Sequence, residues 1–379
     1  MENSEKMQIE ITEKQYFEEL KLMKKQYGQE EELYPWIYML LRKSIFEKGN
    51  DNLSMRNVCS GRKAITVPGR KLLSGGISFP DIAILRKDFD INENFAKNNR
   101  HILGCVEAKH MEEKLLVENE VDNEKIDIET KYEICILPSP SRPHYWYKRE
   151  VESKDDIDVT ISSEKTKIKI KWDGKRIECV NGFKDNILEI KTRDKIITVN
   201  AKEMDEDWEL DFLECYKKTP PSLKSLLCRG KIYISITEKT YIKVGEEKIL
   251  LYIKKGQEDI EYTDANQLFG ELLWYGKVLY TNGLQWKYLK ITGSKYGLSE
   301  LRSLLYKNCI EGDEKWYEVI KEQNINIDCK ELIDFDENDL FNKYIEKDVV
   351  DLPNLEGKWN ILLNELDSFV DDCSGEIIK

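Results

Sequence analysis

Two apolar runs in the first third of the chain, "SFPDIAIL" at 78–85 and "HILGCVEAKH" at 101–110, set the strongest constraint on its fold. Both read as short β-strands bounded by Gly, Pro, Asn or Asp. Both also carry ionisable residues at an end: Asp81 opens the first, while Glu107 and Lys109 close the second. Burying such groups unpaired is costly, so strands built this way need a task or a partner for the charges. Alternation along a strand puts Leu103, Cys105, Glu107 and Lys109 on one face and Gly104, Val106, Ala108 and His110 on the other. If the two strands pair, the Asp81 carboxylate lies beside Glu107 where the sheet frays, and two carboxylates and one amine converge.

Helical patterns flank these strands. "KQYFEELKLMKKQYG" repeats apolar residues at helical spacing and stops near Gly28, and "EEELYPWIYMLLRKSIFEKG" begins again. In the second helix Leu33, Ile37, Leu40, Leu41 and Ser44 form the stripe of a face packed on a core. Pro35 fits the first turn, Gly49 the stop, and the acidic residues 30–32 lie at the positive end of the helix dipole. "TDANQLFGELLWYGK" is a further helix, with Thr263 or Asp264 as N-cap and Gly276 as stop. "KVLYTNGLQWKYLKI" then reads as a β-hairpin closed by a two-residue Asn282-Gly283 turn.

The texture changes between about 131 and 255, where "IDVTI", "TKIKIKW", "NILEIKT", "KIITVNA" and "KIYISITEKTYIKV" alternate or are β-branched. A mainly antiparallel β-rich insertion follows. "KKTPPSLKSLLCRG" interrupts it with a proline pair and a short helix. From about 295 to 379 the pattern is helical and acidic.

Composition narrows the chemistry. No window approaches the apolar length of a membrane span, and the charged start "MENSEKMQIEITEKQ" lacks a signal core, so no membrane and a cytoplasmic protein are the expectation. The nine cysteines show no CxxC pair, and the three histidines leave little for a His-metal cluster. Carboxylates and lysines must carry the chemistry. A net charge of −13 argues against a broadly basic nucleic-acid clamp but leaves local patches open, such as "GRKAITVPGRK" at 61–71 and "YWYKR" at 145–149. Neither a P-loop frame nor any other motor motif is present.

Close carboxylates repel, so one holds a proton or a cation bridges them. A few hard oxygen ligands with room for water and phosphate suit Mg²⁺ or Mn²⁺. An adjacent amine, Lys109, then orients or deprotonates an attacking water and stabilises developing charge, the requirements of phosphodiester hydrolysis.

At these residues the sequence resembles the PD-(D/E)xK nuclease superfamily: Pro80-Asp81 and Glu107-Ala108-Lys109 match its signature. "EEELYPWIYMLL", "QLFGELLWYG" and "YTNGLQW" fall in the order the resemblance expects and look like restriction-type domains, including the nuclease domain of type I restriction subunits. The resemblance covers residues 29–110 and 263–292. It implies an α/β fold, a restriction-endonuclease-like mixed sheet flanked by helices. Residues 1–114 and 259–295 would form the nuclease core, 115–258 the insertion, and 296–379 a helical C-terminal region. It further implies that Asp81 and Glu107 ligate metal, that Glu30 or Glu32 joins the shell, that Lys109 activates water and that Gln267 lies near substrate or Lys109. One departure is plain. Where some type I nucleases carry Tyr four residues after the Gln, this chain has Glu271, and Tyr275 comes four later still.

The function expected on these grounds is a Mg²⁺-dependent endonuclease on DNA, with RNA open, serving restriction or antiphage defence alone, as a homodimer or with a partner subunit. The alternative expectation is a nuclease-like fold used as a non-catalytic binding or assembly module.

Overall fold

A computed structural model describes residues 11–26, 28–58, 68–75, 79–137, 147–151, 158–162, 167–171, 178–181, 187–192, 195–200, 231–254, 260–295, 297–312, 314–337, 341 and 353–375. The "KAITV" run and the "KKTPPSLKSLLCRG" segment lie outside these residues. The chain is mixed α/β and divides into two compact units, one of residues 1–127, 244–247 and 267–379, the other of residues 128–243 and 248–266.

With strands numbered along the whole chain, the first unit contains β1 (Leu53–Asn57), β2 (Ile82–Arg86), β3 (Ile102–Ala108), the start of β4 (Val121–Leu137), β14 (Lys277–Thr281), β15 (Gln285–Gly293) and β16 (Asn326–Asp334). They pair in the order β1-β2-β3-β14-β15-β16-β4. The β3–β14 pair is parallel and the pairs β1–β2, β2–β3, β14–β15, β15–β16 and β16–β4 are antiparallel, so the sheet is mixed. β3 is buried at every position, as a central strand covered by helices must be.

Helix α1 (Glu13–Gln26) and helix α2 (Tyr34–Glu47) bring Tyr16, Phe17, Leu20, Leu33, Ile37, Leu40 and Leu41 into the core that also holds Leu103, Val106 and Trp286. Pro35 sits in the first turn of α2, where its missing N–H costs nothing, and Ser44 is buried. The C-terminal helix Pro353–Gly375 packs against α2, β3 and β16 and supplies Leu362, Leu366 and Phe369 to the same core. No helix among the described residues is long and apolar enough to cross a membrane.

Three departures from the sequence reading have physical causes. Residues 326–334, within the stretch read as helical, form β16; Ile327 and Cys329 are buried and alternate with Asp328 and Lys330, a strand period hidden inside an acidic composition. Leu103 does not keep the alternation, because Ile84 pairs with Gly104 and Leu85 with Ile102, so the β2–β3 register skips it. This irregularity lets Leu103 share a core with Val106 and Ala108 while Glu107 serves the site. The β14–β15 hairpin closes through four residues, since Asn282 N–H donates to the Gln285 carbonyl. The Asn282 side chain accepts from the Leu284 and Gln285 amides, which organises the turn around Gly283.

Gly283 is a sharp test of that turn. Its φ is +87°, and a Cβ there would meet Leu33 Cδ2 at 2.8 Å. The Gly283 carbonyl also accepts from the Tyr16 hydroxyl at 2.7 Å. Gly283→Ala should therefore lower stability by about 1–3 kcal/mol in chemical denaturation; an unchanged midpoint would show that the turn yields freely.

The second unit contains most of β4 and the strands β5 (Tyr147–Val151), β6 (Asp158–Ser162), β7 (Lys167–Lys171), β8 (Glu178–Asn181), β9 (Ile187–Thr192), β10 (Lys195–Asn200), β11 (Lys231–Val244), β12 (Glu247–Lys254) and β13 (Ile260–Tyr262). β4, β11, β12 and β13 run side by side, with β5 on β4 and β8 on β11, while β10-β9-β6-β7 form a separate antiparallel sheet. Glu129 gathers Lys131, Lys243 and Lys248, and hydrogen bonding to Lys243 above all lowers its carboxyl to about 2.

Candidate active site

The site lies within the first unit, at the end of the β2–β3 pair where β2 has run out. Asp81 immediately precedes β2 and stands opposite Glu107, continuing the register that pairs Ile82 with Val106. Its Oδ2 accepts the Ala108 backbone amide at 2.7 Å, so the side chain replaces a ladder bond that the frayed strand no longer supplies. On the neighbouring strand, the Lys109 amide donates to the Thr281 carbonyl at 2.8 Å and fixes the base of the lysine against β14. Asp81, Glu107 and Lys109 are 4%, 2% and 7% exposed.

These buried charges meet one another directly. Lys109 Nζ lies 2.9 Å from Glu107 Oε1. Gln267 Nε2, from the helix Asp264–Tyr275, donates to the same oxygen at 2.7 Å. Glu107 Oε2 is buried and has no hydrogen-bond partner. One carboxylate oxygen is thus held by two donors while the other is left open at a desolvated position. Burial, and then the charge of Asp81, push the Glu107 carboxyl up to about 8, with Lys109 opposing them.

The other side of Asp81 is held by a group that the sequence reading did not single out. The Tyr34 hydroxyl lies 2.6 Å from Asp81 Oδ1 and 2.8 Å from Glu30 Oε1. Burial, followed by the hydrogen bond to Asp81, raises the phenol, so it stays protonated. A single O–H hydrogen serves one carboxylate at a time, and the second contact requires a proton on the other carboxyl. Burial raises the Glu30 carboxyl above its ordinary value against the hydrogen bond from Tyr34, and the charge of Asp81 raises it further. Glu32 is exposed and turned back over Gly28. Of the two N-terminal acids left open by the sequence, the structure brings Glu30 to Asp81. The signal for Tyr34 was present: it lies four residues after Glu30, where a helical turn brings side chains together.

Two other residues have clear places. The Tyr275 hydroxyl donates to the Leu73 carbonyl at 2.7 Å and Trp274 Nε1 to the Leu72 carbonyl, which ties the Gln267 helix to α3 (Pro68–Ser74). His110 Nε2 lies 3.1 Å from the Gly28 carbonyl, away from the charge cluster.

Among the described residues no group of three or more His, Cys, Asp or Glu side chains is arranged to cage a metal ion. Two buried carboxylates, Asp81 and Glu107, are the donors that a hard cation such as Mg²⁺ would use here. The open Glu107 Oε2 is the observation that favours this fit. No family model, curated protein or solved structure matches the chain.

Proposed function

We propose that the first unit is a Mg²⁺- or Mn²⁺-dependent endonuclease acting on DNA. The observation that carries this reading is the buried Asp81–Glu107–Lys109 cluster with one open carboxylate oxygen. A structural ion pair needs no second carboxylate beside it, and a buried pair is weak evidence for stability in itself. Asp81 and Glu107 would hold the cation, with Glu30 supporting Asp81 through Tyr34. When bound, a divalent ion supplies Lewis-acid stabilisation of charge on the phosphate and lowers the pKa of water. Lys109 would orient the attacking water and offset the negative charge that builds on the phosphoryl oxygens; Gln267 holds Glu107 in place. A role in restriction or antiphage defence, and action as a homodimer or with a partner subunit, belong to the same proposal and rest on the family resemblance.

A second reading is a nuclease-like module that binds without cutting. Its support is that the Lys109–Glu107 pair and the Gln267 hydrogen bond already close on themselves. A panel of supercoiled plasmid, linear duplex, single-stranded DNA and RNA, each with Mg²⁺ or Mn²⁺, separates the two. Cleavage by the wild type that Lys109→Ala removes supports the enzyme; inactivity on every substrate, with binding retained, supports the module.

Tyr34 gives a second test of the site. Tyr34→Phe removes the hydroxyl shared by Asp81 and Glu30, and should weaken Mn²⁺ binding in calorimetry by about 10–100-fold, the usual effect of losing a partner behind a metal ligand. Unchanged affinity would separate Tyr34 and Glu30 from the metal site.

A further inference from the structure

Glu271 is a buried acid whose position has no use in the chemistry above. It is 2% exposed, on the same helix as Leu268 and Leu272, which are also buried. An apolar side chain would pack there without the desolvation that a carboxylate suffers. One of its contacts reaches the site: Gln267 Nε2 lies 3.2 Å from Glu271 Oε1 as well as 2.7 Å from Glu107 Oε1.

A primary amide nitrogen carries two hydrogens, and here they have two carboxylate acceptors. Flipping the amide would turn its oxygen, an acceptor, toward both carboxylates. The flip is therefore determined by the pair of acids, and neither acid alone would determine it as firmly. The one-turn spacing from Gln267 to Glu271 makes the clamp possible, since residues four apart share a helix face. The carboxylate is enclosed with the helix's apolar face, since Glu271 is as buried as its neighbours on that helix.

We infer that Glu271 is a positioning residue: it fixes the Gln267 amide so that Nε2 holds Glu107 Oε1 and leaves Glu107 Oε2 open. The consequence for cleavage rests on the nuclease reading; the clamp itself does not. A bare helix-stabilising pair would predict a different result, because it would not couple Glu271 to Glu107 through the amide.

The test uses the full chain as wild type, Glu271→Leu, Glu271→Gln, Gln267→Leu and the double variant Gln267→Leu/Glu271→Leu. Selective ¹⁵N-glutamine labelling, with Gln267→Leu identifying the signal, reports hydrogen exchange of the Gln267 side-chain amide. Glu271→Leu is expected to accelerate that exchange, and Glu271→Gln, which keeps an acceptor oxygen, to preserve protection. In cleavage assays Glu271→Leu should lower kcat by about 10–100-fold with KM within about threefold, and Mn²⁺ affinity should fall alongside kcat. The double variant should be no slower than Gln267→Leu, since both changes break one clamp.

Unchanged amide exchange in Glu271→Leu would overturn the inference, and so would effects of the two single variants that multiply in the double. If Glu271→Leu fails to fold, Glu271→Asp withdraws the carboxylate by one methylene with its charge kept, and loss or retention of Gln267 protection decides in the same way. A wild type that cleaves nothing would sink the nuclease reading while the exchange comparison still decides the clamp.

Discussion

Replacing Lys109 with Met is expected to lower Mg²⁺-supported cleavage by about 10²–10⁴-fold, the range associated with loss of a group that handles a proton in the transition state. The amine sits 2.9 Å from Glu107 Oε1, and its backbone is tied to β14, so its position is set by the sheet. Met keeps most of the aliphatic stem and removes the charge. Removal of one partner from a buried pair is ordinarily destabilising, because the remaining charge is stranded. Here the loss is relieved, since Glu107 is already raised to about 8 with Lys109 present and rises further without it. The acid takes up a proton, and the variant should fold at pH 7 and lose stability relative to wild type as pH climbs above 8. Single-turnover cleavage and thermal unfolding on the same samples check both halves; a rate within threefold of wild type would remove Lys109 from the mechanism.

The second large effect is a dependence of stability on pH that the cation reverses. Glu107 has a folded-state pKa of about 8 against an ordinary value of 4.5. Between those values the folded protein binds a proton that the unfolded chain does not, so the metal-free protein loses stability as pH rises from about 5 to 8, and the loss levels off above the folded pKa. Glu30 is raised too and adds a contribution of the same sign. Glu129, lowered to about 2, acts below pH 5, outside this window. A divalent cation favours the ionised carboxylates, so added Mg²⁺ should stabilise the protein more at pH 8 than at pH 6. Glu107→Gln should remove the larger part of the slope and of the difference between the two pH values, leaving the share that Glu30 adds. A melting temperature independent of pH from 5 to 8 in the metal-free wild type would show that Glu107 does not take up this proton.

How the site is built explains what could be read from the chain in advance. Asp81 and Glu107 are local to two apolar runs, and strand alternation with one antiparallel pairing is enough to bring them together. Gln267 enters through a distant helix, and its sequence says nothing about whether it faces substrate or Glu107; the 2.7 Å contact depends on how that helix packs. Tyr34 reads as an ordinary residue of a helix start, since its contact with Asp81 spans elements that only the folded core joins. Leu103 breaks alternation because of a register shift, and a register belongs to two strands at once. β16 was obscured by acidic neighbours that suit a solvated helix as well as the polar face of a strand. The individual strands and helices of the first third were legible from periodicity, the mixed sheet was an expectation of the resemblance, and the irregular positions were in neither.

The measurement closest to the central claim is nicking of supercoiled plasmid by wild type and Asp81→Ala, with Mg²⁺ and with EDTA. Asp81 joins Tyr34 on one side to the Ala108 amide on the other, so its loss removes a proposed ligand and the link to Glu30 together. The account predicts nicking by the wild type that requires the cation and disappears in Asp81→Ala. Equal nicking by both proteins, or nicking that persists in EDTA, would contradict it.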